Sequence, residues 1–204
     1  MTPTIAQGWG RTACRAMFAL ICTAVLAGCG INEIPTRQEQ AKAAWAQVQN
    51  QYQRRADLIP NLVETVKGAA AFERETLQAV IEARSRVAQT TVPPDVTTNP
   101  DAFKTYEQNQ AALGSALSRL LVVVERYPDL KANQNFVVLQ SQIEGTENRI
   151  AVARRDYIEA VRVFNTEITT FPGRIWAMIL YSDAQPMQTF TAAEDAAKAP
   201  QVKF

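Results

Sequence analysis

Residues 134–171 read QNFVVLQSQIEGTENRIAVARRDYIEAVRVFNTEITTF, and one spacing within them decides the fold. Phe136, Ile143, Ile150, Tyr157, Phe164 and Phe171 each follow the last by seven residues, with Leu139, Ala153 and Ala160 on the same face. A helix turns by about 100° per residue, so this repeat keeps the large apolar side chains on one stripe. The stripe predicts a long helix from about Lys131 to Thr170, broken by Phe171-Pro172-Gly173, with its apolar face against other helices. Such a stripe is read as core in preference to a ligand site.

Upstream, Trp45, Tyr52, Ile59 and Val66 again fall seven apart, with Ala41, Val48, Arg55, Leu62 and Ala69 between them. This seam predicts a first helix opening at Thr36, where Glu39 completes a capping box, and continuing toward Gln89. Pro60 removes a backbone hydrogen bond without disturbing the register, so a kink is expected there, and Gly68 marks a second soft point. Thr90 to Asp101 holds Pro93, Pro94 and Pro100 and reads as a loop. Phe103, Tyr106, Leu113, Leu117, Leu120, Val124 and Tyr127 then step by three and four, which places another helix from about Asp101 to Tyr127.

Downstream, Ile175, Trp176, Met178, Ile179 and Leu180 make a short apolar segment, expected to pack on the end of the bundle; a patch that touches a membrane or a partner is the alternative. No stretch alternates with period two and no unit of 20–50 residues repeats. The fold class is therefore all-α: an antiparallel bundle of three to four long helices, the first kinked at Pro60, plus a short C-terminal helix. The bundle is assigned to residues 37–181, and residues 182–204 are expected to form a loose tail.

The first 28 residues read as an address. Arg11 and Arg15 precede an apolar run from Ala16 to Leu26, about half of the ~20 residues that a spanning helix needs. A basic flank, a short apolar stretch and small residues at its end describe an export signal. Leu26-Ala27-Gly28-Cys29 resembles the bacterial lipobox. That resemblance implies cleavage before Cys29, acyl chains on its new N-terminus, and a tether over residues 29–36. Each buried methylene contributes roughly 0.8 kcal/mol, so several acyl chains make attachment effectively permanent. Gly30, in place of aspartate after the cysteine, favours the outer membrane by resemblance to enterobacterial sorting.

The composition excludes several kinds of chemistry. There is no histidine, and of the three cysteines only Cys29 lies outside the expected signal peptide, which removes His-based triads, Cys-based metal sites and an internal disulfide. Two of the 21 basic residues and none of the 20 acidic ones precede Cys29, leaving a nearly neutral body with little attraction for nucleic acid. No catalytic residue, metal ligand or cofactor is assigned.

Longer motifs carry a resemblance to a family. Arg54-Arg55-Ala56-Asp57-Leu58-Ile59-Pro60-Asn61-Leu62-Val63-Glu64-Thr65-Val66-Lys67-Gly68 and Glu82-Ala83-Arg84 resemble the hallmark of the LemA family. Tyr127-Pro128-Asp129-Leu130-Lys131-Ala132-Asn133, with Asn135-Phe136 and Leu139-Gln140, is similar to its central motif. Thr146-Glu147-Asn148-Arg149-Ile150-Ala151 and Ala153-Arg154-Arg155-Asp156-Tyr157 are similar to its third, and Asn165 with Phe171-Pro172 fits the end. The resemblance covers about residues 40–180. It implies a long-helix bundle on the exoplasmic side of a membrane and no agreed enzymatic role, with some relatives linked to envelope or magnetosome membrane organisation. Many members resemble single-pass proteins. Here a lipobox stands where their spanning helix would be, so the chain reads as a lipoprotein-type member.

The same motifs concentrate charge. Arg55 falls on the seam, Arg54, Asp57, Asn61 and Glu64 surround Pro60, and Glu147 and Arg154 share a face with Asn148 and Arg155 beside them. An arginine in a seam needs a partner, because an uncompensated buried charge is costly. The expected pairing joins Arg54 or Arg55 to Glu147 across the first and third long helices and sets register; binding of an anionic headgroup or a peptide is the alternative for this layer. The expected role is a membrane-anchored envelope scaffold or adaptor that meets protein partners. The alternatives are a binding protein for lipid or another amphiphile, and, less favoured, a carboxylate-based hydrolase working through Glu64 or Glu147.

Overall fold

A computed structural model describes Met17, residues 30–68 and residues 73–191. Cys29, the expected signal peptide apart from Met17, and residues 192–204 lie outside the described residues. Among the described residues six helices follow: α1 Glu33–Lys67, α2 Arg74–Gln89, α3 Pro100–Val124, α4 Pro128–Lys131, α5 Gln134–Thr169 and α6 Gly173–Ile179. At 1.5 Å per residue the 35 residues of α1 span about 50 Å.

Cross-helix contacts fix the topology. The Trp45 and Tyr157 rings meet at 5.2 Å and Arg55 reaches Glu147 at 3.0 Å, so α1 and α5 run antiparallel. Trp45 meets Phe103 at 5.6 Å and Arg55 meets Gln110, so α3 runs parallel to α1. Glu73 at the start of α2 pairs with Arg126 after α3, and Thr90 after α2 bonds Asn109, so α2 runs back against α3. The result is an antiparallel bundle of four helices, two of them twice as long as α2. Asn99 and Asn133 accept backbone N–H groups at the starts of α3 and α5, and Pro100 and Pro128 open α3 and α4, where a missing N–H costs nothing.

Two cores sit end to end. The proximal one is aromatic, built on Trp45, Tyr52, Phe103, Tyr106, Tyr157, Phe164 and Phe190. The distal one is mainly aliphatic, with Ile59, Leu62, Val66, Val80, Leu113, Leu120 and Ile143 around Phe136. Both heptad stripes face these cores up to Phe164. Phe171 takes the next step of the stripe but lies beyond the end of α5 and is 82% exposed.

Several boundaries differ from those expected. α1 begins at Glu33, so residues 30–36 are not a free tether, and Ile34 is already fully buried. The Thr36–Glu39 capping box is not formed: the Thr36 hydroxyl donates to the Asn32 carbonyl at 2.7 Å and Glu39 pairs with Lys42. The first long segment is two helices, because the chain leaves α1 at Gly68 and returns as α2.

α1 runs through Pro60 unbroken. Proline cannot donate to the carbonyl of Ala56. That carbonyl instead accepts from Arg84 Nε on α2, at 3.2 Å. The bond ties α2 to the point where α1 lacks one of its own. Arg84→Ala is expected to lower stability by roughly 1 kcal/mol, and by clearly less in a Pro60→Ala background, where the restored N–H competes for the same oxygen. Chemical denaturation of the four proteins reads the difference; equal losses in both backgrounds would contradict it.

The C-terminal region shows the largest difference. Residues 182–191 are not loose: Met187 and Phe190 are buried in the proximal core. Asn165 clamps this segment, accepting from the Met187 N–H and donating to the Met187 carbonyl, both at 2.9 Å. The Tyr157 hydroxyl donates to the Gln188 carbonyl, and the Gln188 N–H reaches Thr97 in the α2–α3 loop. That loop is anchored too, through buried Val96. α6 packs with one face only. Trp176, Ala177 and Tyr181 lie against the proximal core, whereas Ile175, Met178, Ile179 and Leu180 stay exposed. Gly173 starts α6 where a β-carbon would collide with the Glu167 carbonyl, so glycine alone permits this close return of the chain.

Candidate functional site

Between the two cores lies a polar layer carried by α1, α3 and α5. Arg55 sits one turn from Tyr52 and one from Ile59 on the inner seam, and its side chain is 3% exposed. One guanidinium nitrogen donates to Glu147 Oε1 at 3.0 Å; the other donates to Gln110, to Oε1 at 2.7 Å and to the backbone carbonyl at 3.0 Å. Tyr52 offers its ring face 5.1 Å below. Gly114 makes room above, since a β-carbon there would stand 3.4 Å from the guanidinium. Arg55 Nε meets no acceptor.

A second ion pair lies two turns along α5. Arg154 reaches Glu107 on α3 at 3.2 Å and covers the ring of Phe190 at 4.2 Å, so it also holds the C-terminal segment down. With Arg55 and Glu147 this gives two positive and two negative groups, a layer without net charge. A cleft of about 390 Å³ opens over it, with Ser115, Ser118 and Ile150 on its walls.

The expected site residues separate into different places. Arg55, Glu147 and Arg154 line this cleft. Arg54 is turned about 100° from Arg55 and is exposed. Asp57 is exposed and accepts from Gln53; it borders a second cleft beside Arg84. Asn61 and Glu64 face a groove shared with Asn135 and Gln142 on α5, and Glu64 pairs with Lys67. Asn148 and Arg155 are exposed, and Asn148 borders a groove between α1 and α5. These positions thus do not form one layer, because the steps of three and four through Arg54, Asp57, Asn61 and Glu64 trace a stripe beside the seam. Sequence reasoning missed Glu107, Gln110 and Gly114. Gln110 left one signal: it occupies an inward step of α3 midway between Phe103 and Leu117, where an apolar residue is the ordinary choice.

The chemistry of the layer is restrained. Burial pushes the Tyr106 and Tyr157 hydroxyls well above their ordinary value, and that of Tyr52 upward against the opposing pull of Arg154 and Arg55. These phenols are donors at physiological pH, not bases. Both carboxylates are engaged by guanidinium groups. Among the described residues no group of three or more acidic side chains converges as a metal ligand set.

The model of the LemA family matches residues 44–204, which takes in α1 from Ala44 onward, the helices after it and the polar layer. The chain is 27% identical over 141 residues to Protein LemA of Metamycoplasma hominis, covering 69% of this chain and 60% of that one. It is 25% identical over 164 residues to Magnetosome protein MamQ 2 of Paramagnetospirillum magneticum, covering 72% and 60%. The figure is 24% for Magnetosome protein MamQ of Magnetospirillum gryphiswaldense, with the same coverage. The chain spans about 60% of the length of the curated relatives it matches. A family match over most of the chain, on a bundle of the architecture its motifs imply, places this protein in the LemA family.

Proposed function

We propose that the chain is an exported lipoprotein, held to a membrane by acyl chains on Cys29, whose bundle acts as a scaffold or adaptor for protein partners in the cell envelope. The observation that carries this reading is the junction between the two parts. Leu26-Ala27-Gly28-Cys29 is followed at once by the turn at Gly30 and by α1 from Glu33, and among the described residues no helix is long and apolar enough to cross a membrane. An acyl anchor on Cys29 would hold a stiff rod, about 50 Å long, by one end. The periplasmic side and the outer membrane are the favoured address. The magnetosome designation of two relatives fits a part in organising membrane-bound assemblies.

The interior favours a scaffold over a carrier of amphiphiles. Trp45, Phe103, Tyr157 and Phe190 make mutual ring contacts of 5.1 to 6.4 Å and so occupy the part of the proximal core that an enclosed acyl chain would need. The polar layer acts in this reading as a register device, and no catalytic role is assigned to Glu64 or Glu147. Native mass spectrometry of the full chain, extracted from membranes in mild detergent, tests the choice. The scaffold reading expects the acylated chain free of noncovalent lipid. A stoichiometric noncovalent lipid that survives detergent exchange would instead support the carrier.

A further inference from the structure

The exposed apolar side chains of the bundle are unevenly placed. Ile81, Val122, Val137, Val138, Val152 and Ile158 are scattered along its length. Phe171, Ile175, Met178, Ile179 and Leu180 instead fall within ten residues of one another, with Phe171 82%, Met178 72% and Ile179 68% exposed. They form the outer face of α6 and the turn before it. The inner face is fixed by Trp176 and Ala177 in the proximal core, so rotation of α6 cannot bury the outer one.

This patch lies where the chain enters the bundle. A β-carbon on Gly30 would stand 3.8 Å from Trp176 Nε1, which puts the first residue after Cys29 against α6 itself. Three residues separate Cys29 from Glu33 at the head of α1, and the four Cα–Cα steps between them reach at most about 14 Å. A bilayer that holds acyl chains on Cys29 therefore lies within that reach of α6. Exposed Arg174 is the one basic residue of α6, and Asp183 follows close by, so contact would rest on apolar surface more than on charge.

We propose that the outer face of α6, with Phe171, is a membrane-docking surface that seats on the lipid bilayer beside the anchor and sets the bundle's orientation to it. This rests on the reading of Cys29 as the anchor. The acyl chains supply attachment; Phe171, Met178 and Ile179 supply a second contact that a point anchor lacks, and the rod then stands at a fixed angle instead of swivelling.

The test uses the full chain, purified from bacterial membranes and reconstituted in vesicles of phosphatidylethanolamine and phosphatidylglycerol that contain a lipid with a photoreactive diazirine in its acyl chain. Lipid adducts are mapped by peptide mass spectrometry. The expected result is labelling of peptides covering residues 171–180. Met178→Glu with Ile179→Glu is expected to lower that labelling roughly tenfold, with flotation of the chain and its thermal midpoint unchanged, because both side chains are exposed. Chains that float with the vesicles but carry no adduct at 171–180 would overturn the docking surface and leave the anchor standing. Labelling that persists in the double variant would overturn it as well. Chains that do not float would overturn both readings.

Discussion

Arg55→Ala is expected to destabilise the bundle by roughly 3 kcal/mol, near the lower end for breaking a buried ion pair. Three losses combine. Buried Gln110, 5% exposed as a residue, is left without its charged donor; the space filled by the guanidinium and its stem empties; and Glu147 loses its partner. The last is the smallest, because the Glu147 side chain is 41% exposed and water solvates the stranded carboxylate. Glu147→Gln leaves the buried guanidinium with Gln110 alone and is expected to cost about 2 kcal/mol. The double variant should fall short of the sum by about 1 kcal/mol or more, since one interaction is removed in both single variants. Urea unfolding followed by circular dichroism gives the four free energies. Strict additivity would contradict a register-setting pair.

Removing the C-terminal segment is expected to have the larger effect. Phe190→Ala takes away a ring in contact with Trp45, Phe103 and Tyr157 and beneath Arg154, and substitutions of that kind cost about 3–5 kcal/mol. For a domain of this size that corresponds to a drop of roughly 10 °C in Tm. A stop after Tyr181 also removes Met187 and strands the Tyr157 hydroxyl and both polar atoms of the Asn165 amide, so the loss should exceed that of Phe190→Ala. A melting curve unchanged by the truncation would mean that residues 187–190 do not seal the proximal core. Asn165→Ala is a milder check on the same contact, with an expected loss of about 1–2 kcal/mol.

The cores were legible in the sequence because they repeat. Trp45, Tyr52, Ile59 and Val66, and Phe136 through Phe164, show their burial by spacing alone, and Arg55 stands out as the charged residue in an apolar seam. The features that were not legible depend on contacts distant in sequence. Phe190 sits in a polar, aperiodic stretch, and nothing nearby shows that α1, α3 and α5 leave a ring-sized gap for it. Pro60 reads locally as a kink, and nothing near it shows that the carbonyl it frees is met by Arg84 from another helix. Phe171 continues the heptad count one step past the helix that gave the count meaning. Gln110 is polar at an inward step, and only the position of Arg55 gives it a reason.

The polar layer shows the same division. Spacing placed Arg55 and Glu147 on facing helices, but could not separate Arg54, Asp57, Asn61 and Glu64, which share the motif and lie outside the layer. A side chain's membership is decided by a rotation of about 100° about the helix axis, and a dense charged motif spans several such rotations.

The reading of the chain as an anchored scaffold stands or falls at Cys29. Intact-mass measurement of the protein purified from bacterial membranes, beside a Cys29→Ser variant, tests it most directly. The account predicts a chain that starts at residue 29 and carries the added mass of acyl chains, and a variant that lacks both features and leaves the membrane fraction. An unacylated chain that retains residues 1–28 would contradict it, and with it the placement of α6 on the bilayer.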